Sequence, residues 1–198
     1  MARTIAQDYE KKRSIILFKA ADAFAMLGYH KTSLDYIAHN CKMSKSLIYH
    51  YFSSKNEILF NLMESYVKRL AGEVKFVQKQ ALPPEQALHE IVRRFLLIYD
   101  ESRAYHIVLL NELKNLPPQK HNKVVKQHDY IIHTLGQLIS KINPKITHNK
   151  NLDIILTMIL FGAINWTYTW FKPDGPISTE QFSDIVYNVF VNGINSLE

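Results

Sequence analysis

The chain has 198 residues, 47% of them hydrophobic and 21% charged, the balance of an ordinary globular protein able to bury a core. Its single cysteine, Cys41, excludes a disulfide within the chain and any zinc ribbon or finger. The polar opening MARTIAQDYEKKR lacks the apolar centre of a signal peptide, so a cytoplasmic location is the expectation.

The net charge of +6 is concentrated at one end. Residues 1–55 carry nine Lys/Arg against four Asp/Glu, and residues 56–198 carry fifteen against fourteen. Such a patch suits nucleic acid or an anionic membrane surface, and charge alone does not separate these from a solvated basic arm. Glycine is scarce, at 6 residues, and alternating strand-like runs are hard to find. The expectation is an all-α protein of about nine helices.

A first helix is expected from Tyr9 to Leu27, with Ile16, Ala20, Phe24 and Leu27 as its inward stripe and Gly28 as its stop. A second opens at Thr32 or Ser33, with Asp35 placed to complete a capping box, and buries Leu34, Ile37 and Ala38. The turn Asn40-Cys41-Lys42-Met43 leads to Ser44, the N-cap of a third helix. There Ile48 points inward and Phe52 continues the apolar contact. Ser46, Tyr49 and His50 share the opposite side, with Lys45 one turn before Tyr49.

Two short helices joined by a tight turn, the second with an outward polar and aromatic face, make a helix-turn-helix. A helix fits the major groove of DNA. Side chains on its face reach base edges, while hydroxyls, lysines and backbone N–H groups hold phosphates. Tyr49, His50 and Tyr51 in one short helix are hard to explain as solvated surface.

The strings GYHKTSLDYIA and MSKSLIYHYFSSKNEIL, within residues 9–60, resemble the DNA-binding domain of the TetR family of transcriptional repressors. The family pattern has glycine-valine-serine at the turn, and here Lys42 stands where glycine is usual. A left-handed backbone at that lysine costs roughly 1 kcal/mol, and the added charge is available to a phosphate. The resemblance implies a DNA-binding domain over 1–55. A helix over 55–80 then links it to an effector-binding and dimerisation domain over 56–198. Thr32, Ser33, Ser44, Lys45, Tyr51 and Lys55 are expected mainly on phosphates, and Ser46, Tyr49 and His50 nearest the bases. Ser54 with Glu57 forms an expected capping box at the start of the linking helix.

Pro83-Pro84 opens the second part. Helices are expected from Glu85 to Asp100, from Arg103 to Leu116, and from beyond Pro117-Pro118 to Ile142. His121, His128, His133 and His148 show no metal-ligand spacing, so no metal and no cofactor are expected. No nucleophile–base set or carboxylate pair stands out either, so the chain is not read as an enzyme. Asn151 to Phe171 holds the most apolar run, LDIILTMILFGAINWTYTWF, long enough to raise a transmembrane reading. Asp153, Asn165 and the threonines argue instead for a helix buried against a second copy. In proteins of the resembled family the last two helices pair with their copies, and Gly162 and Ala163 would allow close approach. Ser178 with Gln181 caps the final helix.

The stretch NWTYTWFKPDGPIS resembles a subset of the family that controls fatty-acid, aromatic-acid or sterol breakdown and answers to acyl-coenzyme A thioesters. The resemblance therefore implies a homodimeric repressor on a near-palindromic operator, released by an acyl-CoA or other hydrophobic effector and not membrane-bound. A regulator of efflux or stress genes sensing a drug-like compound is the other reading. Phe95, Tyr99, Leu109, Asn165 and Trp166 are the candidate effector lining. Arg69 or Arg103 is the candidate for a coenzyme A head group.

Overall fold

The computed structural model describes residues 2–148 and 151–197, with side chains from residue 7 onward. Among them the helices are α1 (Ala2–Leu27), α2 (Leu34–Cys41), α3 (Lys45–Tyr51), α4 (Lys55–Lys79), α5 (Pro84–Glu101), α6 (Arg103–Glu112), α7 (Pro118–Ile142), α8 (Leu152–Asn165), the single turn α9 (Thr167–Trp170) and α10 (Thr179–Asn195). Short 3-10 turns cover Leu113–Asn115 and Pro144–His148. No strand occurs among the described residues. The fold is all-α.

The chain divides into two compact units. One holds Met1–Tyr66 with Ala104–Val124, the other Val67–Arg103 with Val125–Glu198. Beyond residues 1–55, the first unit takes in the start of α4, most of α6, the 3-10 turn after it and the start of α7.

In the first unit α1, α2, α3 and α4 bury Ile16, Ala20, Phe24, Ile37, Ile48, Phe52, Ile58 and Leu62 together. α2 and α3, of 8 and 7 residues, are too short to be stable alone, and the apolar core they share with α1 and α4 is what orders them. α1 begins at Ala2, seven residues before the expected start. Ser33 is the N-cap of α2, its Oγ accepting the Tyr36 N–H at 3.0 Å. Asp35 does not close the expected capping box; its carboxylate takes Lys45 Nζ at 2.8 Å. Ser54 Oγ accepts the Glu57 N–H at 3.2 Å, while the Glu57 carboxylate reaches one residue further back, to the Ser53 N–H at 2.7 Å and to the Ser53 hydroxyl. The expected helix to Leu116 ends at Glu112 and tightens into the 3-10 turn ahead of Pro117, which cannot continue a helix.

In the second unit α5 lies along α10, with Leu88, Ile91, Phe95 and Ile194 in its core. Arg94 of α5 bridges Glu90 and Glu73 at 2.6 and 2.7 Å. Gly136 brings α7 close to α8: a Cβ there would meet Asp153 Oδ2 at 3.2 Å and Ile154 Cδ1 at 3.3 Å. The expected helix over residues 151–171 is interrupted at Trp166. Thr167 and Thr169 turn their hydroxyls back onto the Ile164 and Trp166 carbonyls, a local bond that competes with the helical ladder. The Ser178–Gln181 capping box forms with both of its bonds, at 3.2 and 2.9 Å.

One face of α8 is buried through Leu156, Leu160, Phe161 and Ile164. Its other face leaves Ile155, Met158 and Ile159 exposed, as Trp166 is at its end, and α10 leaves Ile185 and Val189 exposed. By length and composition alone, residues 152–170 are apolar enough to cross a membrane.

Candidate nucleic-acid interface and effector cavities

The turn between α2 and α3 sets the aim of the reading face. Lys42 adopts φ 53°, ψ 41°, the left-handed conformation. Its N–H closes onto the His39 carbonyl at 3.0 Å, and the Met43 N–H onto Ala38 at 3.0 Å, so the last carbonyls of α2 are satisfied. Glycine normally supplies this geometry, and lysine holds it here at a cost of about 1 kcal/mol. Two residues on, Ser44 caps α3 by accepting the Leu47 N–H at 3.2 Å, and its hydroxyl lies 2.9 Å from that of Ser46.

From that cap α3 presents Ser46, Tyr49 and His50 outward while Ile48 is fully buried. Tyr49 is 49% exposed, too open for a core tyrosine. Tyr51 is half-buried and its ring lies 4.6 Å from that of Tyr9 on α1; His50 meets both rings edge-on. Arg13, one turn after Tyr9, sits 5.3 Å from the Phe52 ring and donates to Asn61. Tyr9 and Arg13 thus brace the far end of α3, a role the sequence reading missed. The available signal was register: Tyr9, Arg13, Ile16 and Ala20 fall on one stripe of α1.

The remaining expected phosphate contacts divide. Ser33 and Ser44 are exposed with their hydroxyls at helix starts, and Lys45 is exposed, its charge held by the Asp35 hydrogen bond, which pushes its pKa up. Thr32 differs: it is 1% exposed, and its hydroxyl donates to the Gly28 carbonyl at 2.9 Å and to Ala23 at 3.2 Å. Lys55 also faces inward. Its ammonium donates to the Tyr29 and Thr32 carbonyls at 2.8 and 2.9 Å and lies 4.2 Å from the Tyr29 ring centroid. Desolvation lowers its pKa. These two correct the expectation: the carbonyls of the α1–α2 connection need partners, and Thr32 and Lys55 supply them. One ammonium hydrogen of Lys55 is left for anything else.

Tyr29 is the centre of that connection. Besides Lys55 on its carbonyl, its hydroxyl donates to Asn56 and its N–H donates to Glu112 Oε1 of α6 at 3.1 Å. Glu112 carries no local signal of this role, since its partner lies 83 residues away in sequence. Cys41 is half-buried and burial raises its thiol pKa, which keeps it protonated.

Residues 16–62 match the family described as bacterial regulatory proteins, tetR family, and residues 81–194 match the tetracyclin repressor-like C-terminal domain. The chain belongs to the TetR family. It is a DNA-binding transcriptional regulator, not an enzyme. Its fold is that of a TetR-family regulator from Bordetella parapertussis, at 34% identity and TM-score 0.88, covering 94% of this chain and 97% of that one. AibR, solved with isovaleryl coenzyme A and operator DNA, shares the fold at TM-score 0.79 and 24% identity, over 90% and 97% of the two chains. In sequence the chain is 26% identical to the fatty acid metabolism regulator protein of Bacillus subtilis, over 91% of this chain and 94% of that one. It is 24% identical to the transcriptional activator FasR of Mycolicibacterium smegmatis, over 86% and 77%.

In this TetR-family chain the second unit carries the cavities. One of about 300 Å³ lies between α4, α5 and α7, walled by Val77, Leu82, Ala87, Ile91 and Leu138 and edged by Gln78, Thr134, Gln137 and Lys141. A small cleft of about 20 Å³ is bounded by Tyr99, Asp100, Arg103, Tyr168 and Phe171. A more open apolar groove of about 410 Å³ runs along Trp170, Phe171, Ile177, Phe182 and Ile185.

The five expected effector residues do not line one cavity. Tyr99 borders the small cleft; Phe95 is core, its ring 6.4 Å from that of Phe161. Asn165 is half-buried at the end of α8, Trp166 is 61% exposed, and Leu109 is buried within the other unit. The reason is periodicity: aromatic and aliphatic residues at helical spacing fill the core whether or not a ligand is near. The two arginines expected for a coenzyme A head group are engaged. Arg69 binds Glu101 and Ser102, and Arg103 donates to the Tyr168 carbonyl.

Proposed function

We propose that this chain is a homodimeric repressor that holds a near-palindromic operator in the cytoplasm and lets go when a hydrophobic acyl effector occupies its second unit. The observation that carries the reading is the outward face of α3, where Ser46, Tyr49 and His50 stand free of the core on a helix fixed by Ser44 and by Tyr9. Such a helix fits the major groove, with Tyr49 and His50 at base edges and Ser33, Ser44, Lys45 and Tyr51 on flanking phosphates. A dimer places two such helices in successive grooves, so half-site spacing follows from its geometry.

For the effector, the 300 Å³ cavity offers an aliphatic wall with a polar edge ending in Lys141. That lining suits an acyl chain ending in an anionic or amide-bearing group. The relatives support the same class: one is named for fatty acid metabolism, and the fold neighbour AibR was solved with an acyl-coenzyme A. The genes controlled would then be catabolic, for fatty acids, aromatic acids or sterols. Release requires that the effector bind the DNA-free arrangement more tightly than the DNA-bound one.

Substituting Tyr49→Ala with His50→Ala tests the reading face. Both side chains are exposed and only the His50 ring contacts with Tyr9 and Tyr51 are lost, so the thermal midpoint should fall by no more than a few degrees while preference for the chain's own upstream DNA over random duplex disappears. A double variant that still discriminated the two would remove base reading from α3. Thermal shift across free acids, coenzyme A thioesters and hydrophobic cations then sorts the effector. Stabilisation by the cations alone would favour a drug-sensing regulator.

A further inference from the structure

The lysine in the helix-turn-helix turn has a charge with no protein partner to explain it. Lys42 is exposed, in the left-handed conformation that side chains other than glycine adopt at a cost. Nearby cations are differently placed: Lys45 is paired with Asp35, and Lys55 is turned onto the Tyr29 and Thr32 carbonyls. No ion pair or hydrogen bond holds the Lys42 ammonium among the described residues. Exposed Ala81 holds the same left-handed backbone at φ 50°, so the strain alone assigns nothing; what sets Lys42 apart is a charged side chain beside the start of α3.

Lys42 is two residues before Ser44, whose hydroxyl caps α3 beside Ser46 on the outward face. The turn therefore carries its ammonium on a flexible stem next to the start of the helix that enters the groove. A lysine stem reaches several ångströms from its Cα, enough to meet the phosphate backbone flanking the groove edge. We propose that Lys42 is a phosphate-binding residue of this regulator and supplies a contact that a glycine turn lacks. The inference rests on the reading of α3 as the groove helix. A phosphate contact of this kind adds affinity to any sequence and is seen most directly in salt dependence.

The test uses the full-length protein and a fluorescein-labelled random-sequence duplex, titrated by anisotropy over a series of KCl concentrations. Lys42→Asn removes the charge and keeps a residue that tolerates the left-handed backbone, so its thermal midpoint should be equal to or above that of wild type. One phosphate contact contributes about 0.9 to the slope of log K against log salt, so Lys42→Asn should flatten that slope by about one. At about 0.1 M salt the same contact is worth roughly five- to tenfold in affinity. Lys42→Arg should restore the slope. Lys126→Asn, which removes an exposed charge from α7, should leave it unchanged.

An unchanged slope in Lys42→Asn would overturn the proposal while leaving the helix-turn-helix reading in place. Equal flattening by Lys126→Asn would also overturn it, because net charge rather than a contact would then be acting. Wild-type protein without salt-dependent DNA binding would instead reject α3 as a groove helix, and the Lys42 contact with it.

Discussion

At the scale of single residues, one half-buried histidine ties stability to pH. His128 on α7 is half-buried, its ring 5.7 Å from that of Phe161. Burial holds its imidazole below the usual value of 6.5, with Asp129 pulling weakly the other way. The unfolded chain therefore takes up this proton at a higher pH than the folded chain does. Stability from His128 is complete above about pH 6.5 and is lost as the pH falls through the folded value. The urea midpoint should drop between about pH 7 and pH 5 by less in His128→Leu than in wild type. Eight other histidines share the background titration, which is why the difference between the two curves is the quantity to read. Superimposable pH profiles would mean that His128 is as readily protonated folded as unfolded.

At the scale of elements, the head is held by bonds from two sides onto one short connection. Lys55 and Asn56 of α4 grip Tyr29 through its carbonyl and hydroxyl, and Glu112 of α6 accepts its N–H. Tyr29 is 8% exposed, so Glu112→Ala would leave a donor with little access to water and no acceptor. The expected loss is about 1–2 kcal/mol in chemical denaturation, whereas Glu112→Gln keeps an acceptor oxygen and should cost less than about 0.5 kcal/mol. If the two variants lost the same stability, the charge of Glu112 and not its acceptor would be what matters.

This grip also marks the limit of what the sequence made legible. Ser33, Ser44, Ser54 and Ser178 announced their helices because a cap acts within one turn of chain. The outward face of α3 was legible for the same reason, since its register is local. Asp35 defected from its expected cap to Lys45, and Thr32 and Lys55 turned inward, because their partners lie on other elements. The five residues expected around an effector do not converge on one cavity for a further reason: residues facing a void and residues facing a neighbour share one period.

At the scale of the whole molecule, the second unit leaves an apolar face uncovered. Ile155, Met158 and Ile159 of α8, Trp166 just after it, and Ile185 and Val189 of α10 expose large apolar side chains on adjoining helices. A Cβ built at Gly162 or Gly193 meets nothing within 4 Å, so neither glycine is required by its own chain. Glycine inside an exposed helix costs about 0.5–1 kcal/mol relative to alanine, and the close approach of a second pair of helices would offset it. These side chains are roughly half exposed, so covering each contributes about half of the 1.5–3 kcal/mol of full burial, and a second copy of the same face is the occupant that fits them. Ile159→Glu combined with Val189→Glu places two carboxylates in that face and, in an isolated chain, only in solvent. Light scattering should therefore report a monomer whose helical circular dichroism is unchanged. Its operator affinity should fall by at least a hundredfold, on the order of the coupling gained when a second head binds intramolecularly. A doubly substituted protein that stayed dimeric would place the interface elsewhere. Wild-type protein that needed detergent to leave the membrane fraction would return residues 152–170 to a bilayer.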